Sequence, residues 1–117
     1  FYLTAAEREG VLAQPRGDAP LAPRDRLAVL LWALKEAAFK AIQPPRGLGL
    51  LDVEVDLPGA WDAPRGRATV RYRRAAAERY VALGAGPIHA GWRRPEPDLV
   101  VAWVLVQDAP LPAADLG

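Results

Sequence analysis

Apolar residues recur at helical spacing through one long segment of the chain. Residues 27–42 contain neither Gly nor Pro, and Leu, Ala, Lys and Glu dominate their composition. Asp25 is placed to cap the start of this segment, and Pro44–Pro45 are placed to end it. The pattern predicts one long amphipathic helix whose apolar band faces a core. The band consists of Leu27, Leu30, Leu31, Leu34, Ala38 and Ala41.

Polar residues and an indole form a second stripe on the same predicted helix. Trp32, Glu36 and Lys40 recur four positions apart and therefore share one side, while Lys35 projects to the flank of that stripe. The ordinary interpretation of Glu36 and Lys40 is a solvated ion pair worth a few tenths of a kcal/mol. The ordinary interpretation of Trp32 is a packing anchor for the helix. Either way, a rigid element carries one carboxylate and two ammonium groups.

The remainder of the chain alternates apolar and polar residues as strands do. Residues 51–57 and 67–73 predict two half-buried strands. Residues 99–106 form the most apolar run and predict a strand buried on both faces, paired with 86–94 as a hairpin. Residues 75–83 are ambiguous between helix and strand, and a short helix is favoured. The predicted fold is α+β, with one long helix packed on a three- to four-stranded, mainly antiparallel sheet.

The N-terminal residues predict a short helix and then a loop. Thr4 and Glu7 have the spacing of a capping box for a helix that ends near Leu12. Residues 14–24 contain three prolines and a glycine, a composition that helices and sheets do not tolerate. The N-terminus therefore adds one small helix to the predicted lobe.

Composition and charge limit the classes of partner. With 117 residues and 51% apolar content, the chain is long enough for one modest core. The net charge of +1 gives no reason to expect binding to nucleic acid or to a membrane surface. The absence of cysteine excludes disulfides, thiolate metal sites and cysteine nucleophiles, and no apolar stretch reaches the length of a transmembrane helix. The absence of cysteine is compatible with the cytoplasm, the expected location, without demanding it.

The Lys-Glu-Ala-x-x-Lys run formed by Lys35, Glu36, Ala37 and Lys40, with Trp32 three positions ahead, resembles a known signature. It is the signature of the 4'-phosphopantetheinyl transferases, which load the phosphopantetheine arm of coenzyme A onto carrier proteins. The resemblance is to the enterobactin-synthase-component and surfactin type, covers residues 2–106, and is specific only in the helix. Supporting similarities lie in Tyr2–Arg8, in Phe39–Pro44 with Gly47, in residues 51–55, and in Ala90–Gly91–Trp92.

The resemblance implies a reaction and a set of site residues. The reaction is transfer of phosphopantetheine from coenzyme A, the co-substrate, to a serine of an acyl or peptidyl carrier protein. Glu36 would be a catalytic residue that ligates Mg²⁺ and accepts the serine proton. Lys40 would be catalytic and would bind the phosphates of coenzyme A. Lys35 would bind coenzyme A near its pantetheine or pyrophosphate.

One departure from that family changes the expected organisation. Its members carry a Gly-x-Asp-x-Glu segment before the signature helix, and no such segment occurs in these residues. Residues 1–117 are therefore expected to be a single lobe, the C-terminal half of a pseudo-twofold enzyme. The expected partner is an N-terminal lobe with the acidic motif, on the same or a separate chain. Such a half should expose apolar surface along its cleft or sheet edge.

Other candidate sites are weaker, and a different class of function stays open. Asp52 and Glu54 mimic the absent motif but follow the helix, so a solvated strand face is favoured over a metal site. His89 is expected on the surface of the hairpin, and Arg71 and Arg73 are expected on the solvent-exposed face of a strand. The alternative function is a non-catalytic module for carrier-protein docking or assembly. Loss of the acidic motif favours it, whereas the intact helix signature counts against it.

Overall fold

The described residues of this chain form a four-stranded sheet with helices packed on it. The computed structural model describes residues 2–15, 23–43, 49–96 and 99–108. The elements in chain order are helix α1 (Ala5–Leu12), helix α2 (Pro23–Ala41), a 3₁₀ turn (Leu50–Asp52), strand β1 (Val53–Asp56), strand β2 (Arg65–Tyr72), helix α3 (Arg74–Ala82), strand β3 (Ala85–Glu96) and strand β4 (Leu99–Asp108). The predicted α+β class is confirmed, and the described residues contain the predicted long helix, α2, together with two short helices, α1 and α3.

The sheet is an open antiparallel meander. Its strand order is β1-β2-β3-β4, and each strand pairs with the next along the chain. The predicted hairpin is confirmed because Ala90 on β3 lies opposite Val104 on β4. The ambiguous stretch folds as the favoured short helix, α3. The predicted strand from residue 51 begins two residues later, since the 3₁₀ turn occupies its start.

Helix α2 covers one face of the sheet, which is called the inner face. The predicted band is confirmed, because its four leucines and Ala38 are buried. They pack with inward-facing residues of the strands, including Val53, Val55 and Trp92. Tyr72 on β2 donates its hydroxyl to the Ala38 carbonyl oxygen at 2.6 Å. These contacts fix the rotation of α2 about its own axis, and therefore decide which side chains face away from the sheet.

The predicted N-terminal cap of α1 is confirmed, whereas the predicted N-terminal cap of α2 is wrong. The capping box is present, since Thr4 N–H donates to Glu7 Oε1 at 2.8 Å and Glu7 N–H donates to Thr4 Oγ1 at 3.3 Å. Asp25 is not the cap of α2. The helix already begins at Pro23, and Asp25 lies in its first turn. Proline suits that position because its missing N–H would be unsatisfied there anyway. Pro44–Pro45 lie outside the described residues.

Strand β4 differs from its prediction. It was expected to be buried on both faces, but alternate side chains are exposed, among them Trp103 and Leu105, while Val104 and its inward neighbours are half-buried. The physical reason is position: within the described residues β4 is the last strand of the sheet, and α2 covers its inner face only. A continuous apolar run does not reveal this. None of the described helices is long and apolar enough to span a membrane.

Candidate active site on helix α2

The predicted stripe lies on the side of α2 that faces away from the sheet. Trp32 is 44% exposed, and Glu36 and Lys40 form an ion pair in which Lys40 Nζ lies 3.3 Å from Glu36 Oε1. The side chain of Lys40 is 74% exposed and that of Glu36 is 32% exposed. The structure therefore brings two of the three predicted site residues together, on a rigid helix and open to solvent.

Exposed apolar side chains accompany this pair. Val29 and Trp32 lie three positions apart on α2, and both are exposed. The interpretation of Trp32 as a packing anchor is wrong for this chain, because its indole does not enter the core. Glu36 lies four positions beyond Trp32, so the carboxylate borders this small apolar patch. The described part of the chain thus shows apolar surface beside the predicted catalytic carboxylate.

Lys35 lies on the side of α2 that faces the interior, about 100° around the helix from Glu36. Its ammonium is completely buried and lies 2.6 Å from Glu7 Oε1 on α1. Lys35 therefore flanks the stripe, but it points into the interior, because Glu7 on α1 supplies a carboxylate that pairs with it there. Its predicted contact with coenzyme A stays a prediction. That contact would require the ammonium to leave Glu7.

Glu7 is the group that sequence reasoning missed as a partner of the signature. Its Oε1 atom accepts from Lys35 and from Thr4 N–H, and its Oε2 atom accepts from Val55 N–H at 2.7 Å. One carboxylate therefore joins α1, α2 and β1 in the interior. The capping box indicates only that Glu7 lies in the first turn of α1. No local pattern connects residues so far apart in sequence as Glu7, Lys35 and Val55.

The described residues fit one part of a magnesium site. Mg²⁺ binds oxygen ligands and retains several waters, and the accessible carboxylate of Glu36 is a ligand of that kind. No group of three or more His, Cys, Asp or Glu side chains that could hold a metal ion occurs in the described ranges. Glu36 can thus serve as one ligand of a shared site, whose other oxygens come from substrate phosphates, water or another lobe.

The acidic residues around β1 that resemble a metal motif lie away from the Glu36–Lys40 pair. Glu54 and Asp56 on β1 alternate with the buried Val53 and Val55, so they face away from α2. Glu54 Oε2 accepts from Arg73 Nη1 at 2.8 Å. Asp52 belongs to the 3₁₀ turn before the strand. These positions agree with a solvated acidic strand face on the other side of the sheet from Glu36.

Comparison with known protein families gives one match. The family model described as the 4'-phosphopantetheinyl transferase superfamily matches residues 1–90. This segment contains α1, α2, β1, β2 and α3, and with them Lys35, Glu36 and Lys40. Searches of the curated proteins and of the solved structures gave no significant match.

Proposed function

The chain belongs to the 4'-phosphopantetheinyl transferase superfamily, and from that premise we propose that its α2 helix forms part of the active site of a phosphopantetheinyl transferase. The enzyme transfers the arm of coenzyme A to a serine of an acyl or peptidyl carrier protein. The observation that carries this proposal is the exposed Glu36–Lys40 pair on a rigid helix. Both groups are accessible from the same side, as a phosphate-containing substrate and a protein hydroxyl require.

The reaction explains the use of a carboxylate at this place. The serine oxygen forms a bond to the β-phosphorus of coenzyme A, the bridging bond to the α-phosphate breaks, and 3',5'-adenosine diphosphate leaves. Glu36 accepts the serine proton, directly or through a water, because its carboxylate lies beside Lys40 on the open side of α2. A magnesium ion held in part by Glu36 supplies charge stabilisation to the phosphate oxygens when bound.

Lys40 provides the positive charge nearest to that carboxylate. Its exposed ion pair with Glu36 contributes roughly 0.3–0.5 kcal/mol, so little is lost when the ammonium turns to a phosphate. There it offsets the negative charge that develops on the bridging oxygen. Lys35 belongs to the same proposal as a ligand of coenzyme A only if its ammonium exchanges Glu7 for the substrate.

The proposal includes a second lobe, with residues 1–117 as the C-terminal half of the enzyme and the cytoplasm as its location. Two observations support it. Glu36 is the one carboxylate of α2 beside Lys40, since the other acid of the helix, Asp25, lies in its first turn, and a magnesium site needs more oxygens. Val29 and Trp32 are exposed beside that carboxylate, which is where an N-terminal lobe with the acidic motif would have to pack.

A second candidate function is a non-catalytic module that docks carrier proteins or assembles a larger synthase. The incomplete set of oxygen ligands on α2 favours it. The two candidates differ in one respect that an experiment can measure: only a transferase needs the charge of Glu36.

The test is magnesium-dependent transfer of labelled phosphopantetheine to an apo carrier protein by the complete two-lobed protein. Glu36→Gln keeps the shape of the side chain and removes its charge, so we expect transfer to fall by about 10²-fold or more. Asp52→Asn is the matched control and should leave the rate within about twofold, since it changes a carboxylate outside the site. Transfer by the folded Glu36→Gln variant at the parent's rate would show that Glu36 is not the catalytic carboxylate. A parent protein that transfers nothing would favour the docking function instead.

A further inference from the structure

The direction in which Glu36 points depends on how α2 is held on its inner side. On the open side of the helix, the exposed Lys40 is the one ionic partner of Glu36 among the described residues. An exposed pair of this kind is weak and does not hold a side chain in one place. The contacts that fix the rotation of α2 about its own axis therefore decide where the carboxylate lies.

Two polar contacts hold the inner side of α2, one on each side of Glu36 in the sequence. In the first, the Lys35 ammonium lies 2.6 Å from Glu7 Oε1. In the second, the Tyr72 hydroxyl donates to the Ala38 carbonyl oxygen. Apolar packing is non-directional, whereas a hydrogen bond has a preferred distance and angle. These two contacts therefore restrict rotation and sliding of the helical turn that carries Glu36.

Glu7 is itself held in place by two other elements. Its buried carboxylate accepts from Thr4 N–H at the start of α1 and from Val55 N–H on β1. The Lys35 ammonium thus meets an acceptor whose position is already set by the backbone of α1 and β1. Because Lys35 and Glu36 are consecutive on one helix, a displacement of Glu7 reaches Glu36 through a single residue.

We propose that Glu7 is a positioning residue for phosphopantetheine transfer and acts through Lys35 on the placement of Glu36, an inference that rests on the proposed function. Glu7 touches neither substrate. A proton acceptor must lie within hydrogen-bond reach of the attacking hydroxyl, and a misplacement of about 1 Å can lower a rate by about 10²-fold. Lys35 then acts inside the lobe, where its ammonium is completely buried, and not as a ligand of coenzyme A.

The test measures kcat, and KM for coenzyme A, in magnesium-dependent transfer by the complete two-lobed protein. Glu7→Gln and Lys35→Met remove opposite members of one pair, so positioning predicts the same result for both. We expect kcat to fall by about tenfold or more in each folded variant, with KM within about twofold of the parent value. The double variant should transfer no more slowly than either single variant, because the same contact is lost only once.

A direct role of Lys35 in binding coenzyme A predicts a different result. Lys35→Met would then raise KM by about tenfold or more, while Glu7→Gln would release the ammonium and leave kcat within about twofold. That result would overturn the proposal, and so would an unchanged kcat in the folded Glu7→Gln variant. If Lys35→Met does not fold, Glu7→Gln and the double variant decide the question.

A matched core variant separates misplacement of Glu36 from loss of stability. Leu27→Ala truncates a buried side chain of α2 nine positions before Glu36 and leaves the Glu7–Lys35 contact intact. It should destabilise the protein but keep kcat within about twofold, once the rate is divided by the folded fraction from circular dichroism. A loss of kcat equal to that of Glu7→Gln would show that any weakening of the lobe slows transfer, which contradicts a specific role of Glu7.

A second measurement does not depend on activity. Trp32 lies one turn before Glu36 on the open side, so the NMR resonance of its indole N–H reports the orientation of that side. The resonance should shift in Glu7→Gln and stay in place in Leu27→Ala. An unshifted resonance in the folded Glu7→Gln variant would refute the proposal even if Glu36→Gln abolishes transfer. Transfer by Glu36→Gln at the parent's rate would instead refute the catalytic role of Glu36, so the two failures are distinguishable.

Discussion

The two sides of α2 carry the same kind of ion pair in opposite surroundings. On the inner side, Lys35 meets Glu7 at 2.6 Å with both side chains almost fully excluded from solvent. On the outer side, Lys40 meets Glu36 at 3.3 Å with both side chains open to water. Lys35 and Glu36 are neighbours in the chain, and the helix separates them. The family signature therefore divides into a buried half that holds elements together and an exposed half that is available for chemistry.

Solvent decides what each pair is worth. A buried ion left without its partner costs about 3–5 kcal/mol, because the remaining charge has lost its hydration. An exposed pair between neighbouring helical turns contributes only about 0.3–0.5 kcal/mol. The inner pair should therefore control stability, and the outer pair should control activity with little effect on stability.

The largest effect on stability is expected from Lys35→Met. The change leaves the Glu7 carboxylate buried with only the Thr4 and Val55 amides as donors. We expect the free energy of unfolding, measured by urea denaturation, to fall by about 3–5 kcal/mol. Lys40→Met is the matched control on the exposed side and should change stability by less than about 0.5 kcal/mol.

A double variant sharpens this comparison. Adding Glu7→Gln to Lys35→Met removes the unpaired charge, so the double variant should be more stable than Lys35→Met alone. Independent effects of the two substitutions, or a Lys35→Met variant within about 1 kcal/mol of the parent, would mean that the buried pair does not hold α1 on α2.

A smaller effect is expected from Tyr72, another contact on the inner side of α2. Tyr72→Phe removes the hydrogen bond to the Ala38 carbonyl, which should lower stability by about 1 kcal/mol. Burial, aided by the neighbouring Tyr80, raises the pKa of Tyr72 to about 12 from its usual value of 10.0. The unfolded chain thus releases this proton first, and the stabilisation present below pH 10 should decline as pH rises through 12. Denaturation at several pH values checks this.

The control for this effect is the Phe variant itself. Its stability should depend less on pH between 10 and 12 than that of the parent. Equal pH dependence of the two proteins would show that Tyr72 does not cause the decline.

The smallest effect is expected from the outer pair. Glu36→Gln should lower the free energy of unfolding by no more than about 0.5 kcal/mol, and 1 M salt should abolish most of that difference, since salt screens exposed charges. A loss comparable to that of Lys35→Met would contradict the division of α2 into two sides. Urea denaturation at low and high salt measures both quantities.

Much of the fold follows from local patterns in the sequence. Uninterrupted helix formers define α2, alternation defines β1 and β2, and Thr4 with Glu7 defines the start of α1. The positions of Glu36 and Lys40 on one exposed side follow from helical geometry alone. The burial of Lys35 does not, because it depends on a carboxylate from another element that no spacing rule relates to it.

Strand β4 shows a second limit of local patterns. Its run from Leu99 to Val106 has no charged residue, and such a run looks the same in a strand covered on both faces as in one covered on a single face. What distinguishes them is the strand order, which places β4 at the edge of the described sheet. Exposure on its outer face is thus a property of the assembled sheet.

Gly66 and Gly91, which lie under Trp92 and Trp103, constrain which substitutions the sequence can accept during evolution. Trp92 covers Gly66 on the neighbouring strand, and a Cβ there would lie 2.7 Å from its ring, just as Trp103 covers Gly91. A methyl group at Gly66 would force the Trp92 ring to move, and one at Gly91 would also meet the carbonyl oxygen of Gly66 at 2.9 Å, although each glycine has an ordinary backbone conformation. Substitution of Gly66 therefore becomes easier after a change at Trp92, whereas a change at Trp103 does not by itself make room at Gly91. The sequences that this chain can reach thus depend on the order of the substitutions.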